Sequence, residues 1–275
     1  MPWMDTRDSV ERETMRSPGL IDVAVFLGGG GAGSGAVEWA AALAQEHDAR
    51  LMGIYIEPEI IDSAEARSRS ADERISFEAA VRRHGLRAEW WALSQGTSAS
   101  LVQHARHADV TIVARPHPSE LPGGLADLPE RLVLASGRPA IVVPPGRAAA
   151  APRRVLVGWN ASPEAARAVA GAMPLLVRAE AVQILVIHRE GDASAEGWEP
   201  GADAALHLAR HGAQVEVCRA SYGGDLAGVL VSPAAAFEAD LVVIGARAHR
   251  MLEGRLSNTT RAVMLQSVMP VLMCR

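Results

Sequence analysis

Cysteine is scarce in this chain. Only Cys218 and Cys274 occur among 275 residues, both inside apolar, strand-like runs. A disulfide framework or a zinc site needs more cysteines at recognisable spacing, so both read as buried thiols of a reducing cytoplasm. Long apolar runs are missing too. The composition is 49% hydrophobic, enough for a large core, yet no stretch approaches the ~20 residues that a membrane-spanning helix needs. Residues 1–19 carry both charge signs around no apolar centre, so they read as a disordered tail and not as a signal peptide. A net charge of −5 argues against a general nucleic-acid binder. Catalytic signatures are absent as well: there is no HExxH and no G-x-S-x-G. His104 and His107 stand three apart, but no carboxylate or cysteine pattern completes a metal set. The nine histidines therefore read as exposed or half-buried. No catalytic residue, no metal, no nucleic acid and no membrane are expected.

What is present is alternation. DVAVFL (22–27), LMGIYI (51–56), AEWWAL (88–93), DVTIVA (109–114) and PAIVV (139–143) read as buried strands. Helical patterns fall between them, at 34–47, 62–84, 98–107 and about 127–136. Trp90 and Trp91 must face opposite sides of their strand, which puts one of them in the core. PPGRAAAAP (144–152) is a linker by composition. The pattern then restarts, with strands RVLVGW (154–159), AVQILVIH (181–188), AQVEVCR (213–219), DLVVIG (240–245) and PVLMC (270–274). Helices are expected at 163–178, 202–211, 225–238 and 258–268. Pro163 suits a first helical position, while Pro233 should kink or break its helix. Gly85 and Gly212, each after a histidine, suit the residue just past a helix end.

The restart is a duplication. Asp109 and Asp240 open the fourth strands, 131 positions apart; Pro139 and Pro270 open the fifth strands at the same offset. A near-constant offset over five strands marks a repeat. The fold class is α/β: two tandem doubly wound domains, residues 20–145 and 146–275, each a five-stranded parallel sheet with helices on both faces.

With these features the chain resembles the universal stress protein family in its tandem form, over about residues 21–275. The resemblance rests on the five-strand order, the Asp-opened fourth strand with its loop, and the Pro-opened last strand. It implies the strand order 3-2-1-4-5 in each domain. Nucleotide-binding members carry G-x2-G-x9-G-[ST] after the fourth strand and D-G-S after the first. Here the second domain reads Gly245-x2-Ala248-x9-Asn258-Thr259, and the turn reads Asn160-Ala161-Ser162. The resemblance places Asn160, Gly245, Ala248, Asn258 and Thr259 around a pocket for ATP or AMP. One of three glycines survives, and Asn160 carries no charge. Arg247, His249, Arg250 and Arg255 keep the loop cationic. In the first domain Arg115-Pro116-His117-Pro118 follows the fourth strand and Gly28 replaces the Asp. No nucleotide is expected there, and Arg115 and His117 should contact none.

A second glycine pattern stands apart. Gly28-x-Gly30-x-x-Gly33 sits between strand and helix, with Glu57 ending the next strand, as a dinucleotide site would require. No lysine follows Gly33-Ser34, so it is not a P-loop, and the second copy has no counterpart. A flexible turn is the preferred reading. The chain reads as a universal-stress-type protein of the cytoplasm that acts by binding and association in a stress response, with an eroded nucleotide site and no certain cofactor. The alternatives are an AMP/ATP binder with at most slow hydrolysis in the second domain, and a dinucleotide-dependent oxidoreductase. Strands 139–143 and 270–274 are apolar edges that should pair with each other inside the chain. A homodimer and an unidentified protein partner are the other associations to consider.

Overall fold

The computed structural model describes residues 19–27, 33–56, 64–93, 98–115, 127–146, 149–189, 200–222, 226–249 and 255–275. In the first half, strands β1 (Asp22–Leu27), β2 (Arg50–Ile56), β3 (Ala88–Leu93), β4 (Val110–Ala114) and β5 (Ala140–Val143) alternate with helices. These are α1 (Gly33–His47), α2 (Ala64–His84), α3 (Ser98–Ala105) and α4 (Leu128–Ala135). The second half repeats the plan with β6 (Arg154–Trp159), β7 (Ala181–Arg189), β8 (Val215–Tyr222), β9 (Leu241–Gly245) and β10 (Val271–Cys274). Its helices are α5 (Pro163–Leu176), α6 (Pro200–Arg210), α7 (Leu226–Ala236) and α8 (Asn258–Gln266).

All ten strands form one sheet, in the order β3-β2-β1-β4-β5-β10-β9-β6-β7-β8. Each half has the order 3-2-1-4-5 and parallel pairing throughout. The junction is antiparallel: Val142 faces Val271, Ile141 faces Leu272 and Ala140 faces Met273. The two apolar edges thus cover each other, as the sequence led us to expect. β5 and β10 are buried along their whole length. Helices cover both faces, and each of the two apolar layers runs through both halves. Trp90 packs in one layer beside Tyr55 and Phe77, while Trp91 turns to the other face and meets the edge of His104.

The repeated aspartates have a structural task. The Asp109 carboxylate accepts the N–H groups of Ile21 and Asp22, at 2.7 and 3.0 Å. Asp240 accepts those of Arg153 and Arg154, at 2.7 and 3.1 Å. In each half the start of the fourth strand thereby fixes the start of the first. Gly85 and Gly212 take the left-handed conformation expected past a helix end, with φ of 64° and 94°.

Three expectations are corrected. Pro233 does not break α7, which runs from Leu226 to Ala236. The proline costs one internal N–H bond, and its own carbonyl still accepts from Phe237 at 2.8 Å. Cys218 is only half-buried, since β8 is an edge strand; Cys274 is buried, and both thiols are free. His47 is neither exposed nor half-buried: it is 8% exposed, and its Nδ1 accepts the Leu20 N–H at 3.2 Å. The glycine turn Gly28–Gly31, Glu57, Pro116, His117, Pro118 and Arg250 lie outside the described residues.

Burial, and then the nearby Arg178 charge, lower the His47 pKa to about 4. The fold holds this ring neutral, while the unfolded chain takes up a proton near pH 6.5. Stability from this site is present above that pH and is lost as pH falls toward 4, by roughly 3 kcal/mol in all. His47→Gln keeps an acceptor for the Leu20 N–H and does not titrate. Urea unfolding of this variant should lose that share of the decline between pH 6.5 and 4. Asp240→Ala should cost about 2 kcal/mol at neutral pH, because two N–H groups lose a charged acceptor. Denaturant midpoints compared with the parent chain measure it.

Candidate functional site

The first and fourth strands of the second half lie side by side, with Gly158 opposite Ile244. Their carboxyl ends deliver the Asn160–Ser162 turn and the segment from Gly245 onward to one place, at the crossover point where doubly wound sheets hold ligands. Helix α5 starts directly over this point. A Cβ on Gly245 would sit 2.4 Å from the Ala165 nitrogen and 2.5 Å from the Glu164 carbonyl carbon. Only glycine fits under the helix, so packing alone accounts for the surviving glycine of the motif.

The N-terminus of α5 is largely satisfied from within. Ser162 caps it, its hydroxyl accepting the Ala165 N–H at 3.2 Å, and its carbonyl accepts from Ala166. Pro163 has no N–H to offer. Asn160 accepts the Ser162 N–H at 3.2 Å, which closes a side-chain turn. Ala161, between them, has φ of 57°. The left-handed shape of the turn is kept although its glycine is gone.

The next loop is closed at its base. Ala246 is buried and donates its N–H to the Cys274 carbonyl. Ala248 and Leu256 form an antiparallel bridge. Around it, His249 donates to the Arg255 carbonyl and Ser257 to the Arg247 carbonyl, each at 2.8 Å. Neither Ala248 nor Asn258 has positive φ, so neither position needs glycine in this conformation. Ser257 caps α8, accepting from the Thr260 N–H at 3.3 Å. The Thr260 hydroxyl is buried and accepts the Arg247 N–H at 3.4 Å. Asn258 and Thr259 open the helix and are exposed.

The cations of the loop are partly answered from the other half. Glu130 of α4 is 2% exposed. Its carboxylate accepts from Arg261 at 2.9 Å, from Arg255 at 3.3 Å and from the Leu256 N–H at 3.0 Å. Arg115 likewise serves the junction, donating to the Ser267 carbonyl at the end of α8 at 2.6 Å. The sequence points to Asn160, Gly245, Ala248, Asn258 and Thr259, and gives Ser162 and Ser257 only as parts of the turn and of the cluster that starts the helix; Glu130 carries no such signal. The two serines stand where helix caps belong, and that was their available signal. Among the described residues, no three His, Cys, Asp or Glu side chains are grouped to hold a metal.

The left-handed alanine yields a direct prediction. Ala161→Gly should stabilise the chain by about 1 kcal/mol, because the side-chain clash exceeds the extra unfolded-state entropy of glycine. A rise in the thermal midpoint would be the readout.

Comparison with known proteins bears on this geometry. The universal stress protein family model matches residues 152–275. No curated protein matches the chain. Among solved structures, a universal stress protein from Archaeoglobus fulgidus DSM 4304 aligns over 92% of this chain and 98% of its own, with a TM-score of 0.72 and 15% identity. A functionally unknown protein from Pseudomonas aeruginosa PAO1 aligns over 93% and 92%, with a TM-score of 0.60 and 15% identity. At such identity the likeness concerns the fold. Residues 152–275 match as a universal stress protein domain, and the first half repeats the same strand order ahead of them.

Proposed function

We propose that this chain is a cytoplasmic stress-response protein of two domains, residues 20–145 and 146–275, that acts by binding and association and not by turnover. Its second-domain nucleotide site is eroded to a structural loop. The observation that carries this reading is Gly245. Its retention follows from the approach of α5, so it is no mark of a retained phosphate site. Two further features agree. The loop base is zipped by the Ala248–Leu256 bridge, and Arg255 and Arg261 already face a buried carboxylate.

A second reading has one observation in its favour. Thr259, at the [ST] position of the motif, is exposed in the first turn of α8, near a helix end that attracts anions. On that reading the protein holds AMP or ATP weakly and hydrolyses it slowly at most. The dinucleotide alternative depends on the turn at Gly28–Gly33 and is kept as an arm of the test.

Nucleotides released from the purified, denatured chain separate the three. No released nucleotide is the expected result; AMP or ATP favours the second reading, and NAD or FAD the third. Calorimetry with ATP should give micromolar affinity or weaker, and nanomolar binding would refute erosion. Asn160→Asp, Ala248→Gly and Asn258→Gly introduced together should raise that affinity.

A further inference from the structure

Two pairs of residues lie on the pseudo-two-fold axis between the halves. In the sheet Ile141 faces Leu272. In the helical layer Glu130 accepts a hydrogen bond from Arg261. Both pairs are 131 positions apart, the offset of the repeat itself. The bodies of α4 and α8 share that register, since Ser136 donates to the Leu132 carbonyl as Ser267 does to Val263. A residue that touches its own repeat-mate must sit on the axis. In a symmetric pair of identical halves it would meet a copy of itself.

For Ile141 and Leu272 that makes little difference, since either could meet its own kind. For the charged pair it decides the outcome. Two first halves joined through this face would bring two buried Glu130 carboxylates together. Two second halves would set Arg261 against Arg261, with Arg255 nearby and no carboxylate at the axis. Like charges in such a position are strongly unfavourable. Arg115 adds a second one-way contact: it bonds the Ser267 carbonyl, while its repeat-mate is Ala246, which has no group to return the bond.

We propose that Glu130, Arg261 and Arg255 make this face selective. A first-half face accepts only a second-half face, from its own chain or from a second copy, and rejects its own kind. The specificity comes from repulsion in the wrong pairings as much as from attraction in the right one. The apolar strands supply adhesion and the charges supply choice.

Full-length variants test this. Glu130→Arg puts like charges on the axis, and so does Arg261→Glu. Each should lower the melting midpoint by roughly 10 °C, because the buried Glu130 position then faces a like charge, although the arginines themselves are half-exposed. The chain carrying both substitutions should regain at least half of that loss; Arg255 keeps the rescue incomplete. Co-expression of the two single variants should yield a 1:1 complex of the two chains in native mass spectrometry, because each first half then finds its complement only on the other chain. A double variant no more stable than the worse single one would overturn the proposal. So would a single variant that melts within about 2 °C of the parent. Rescue without the mixed complex would overturn the claim that a second copy can supply the complement. Should the reversals fail to fold, Glu130→Gln and Arg261→Gln form a milder cycle, in which strictly additive losses would refute the selectivity.

Discussion

An apolar strand edge is a liability either way: buried, its N–H and C=O groups lack partners, and exposed, it invites pairing with another chain. In this chain the meeting of β5 and β10 removes two such edges at once. Neither strand carries a charge that could blunt exposure, and both are buried on every side. The rest of the architecture depends on that contact. It makes one sheet of two, lets both apolar layers run through the chain, and brings α4 of one half against the loop and helix that follow β9. The Glu130 contacts exist only because the strands have already set the helices at that distance.

The fold was legible because its strands are short, apolar and separated by recognisable helices, and because the pattern occurs twice. The site was less so. A motif scan sees Gly245 as a relic of phosphate binding; only the position of α5 shows that a side chain there would strike backbone atoms. Ala248 looks like a loss until its bridge to Leu256 shows that the loop needs no glycine there. Glu130 lies in an ordinary-looking helix. Only its offset from Arg261 could have singled it out, and comparing residues at equal offset would have shown the opposite charges. His47 was missed because helix periodicity does not tell that a terminal residue is bonded by the segment leading into β1.

Charge in this protein is handled by one chemistry. The sequence has no lysine, so all 27 basic residues are arginine. A planar guanidinium can bond a carboxylate and a carbonyl with fixed geometry. Contacts between the halves use this repeatedly: Arg153 with the Glu46 carboxylate, Arg178 with the Glu46 carbonyl, and Arg275 with the Leu134 carbonyl. Several of these serve the ends of helices, where unpaired carbonyls gather.

The antiparallel junction also gives the molecule two poles. Within each half the parallel strands deliver their carboxyl ends, and the loops that follow, to one side. Because β10 runs against β5, the two sides point in opposite directions along the strands. A small molecule cannot touch both. Whatever meets the arginine-bearing segment after β9 approaches from one end of the body, and whatever meets the carboxyl end of β1 approaches from the other. A duplicated chain built this way presents the carboxyl ends of its two parallel halves at opposite poles, with one continuous sheet between them.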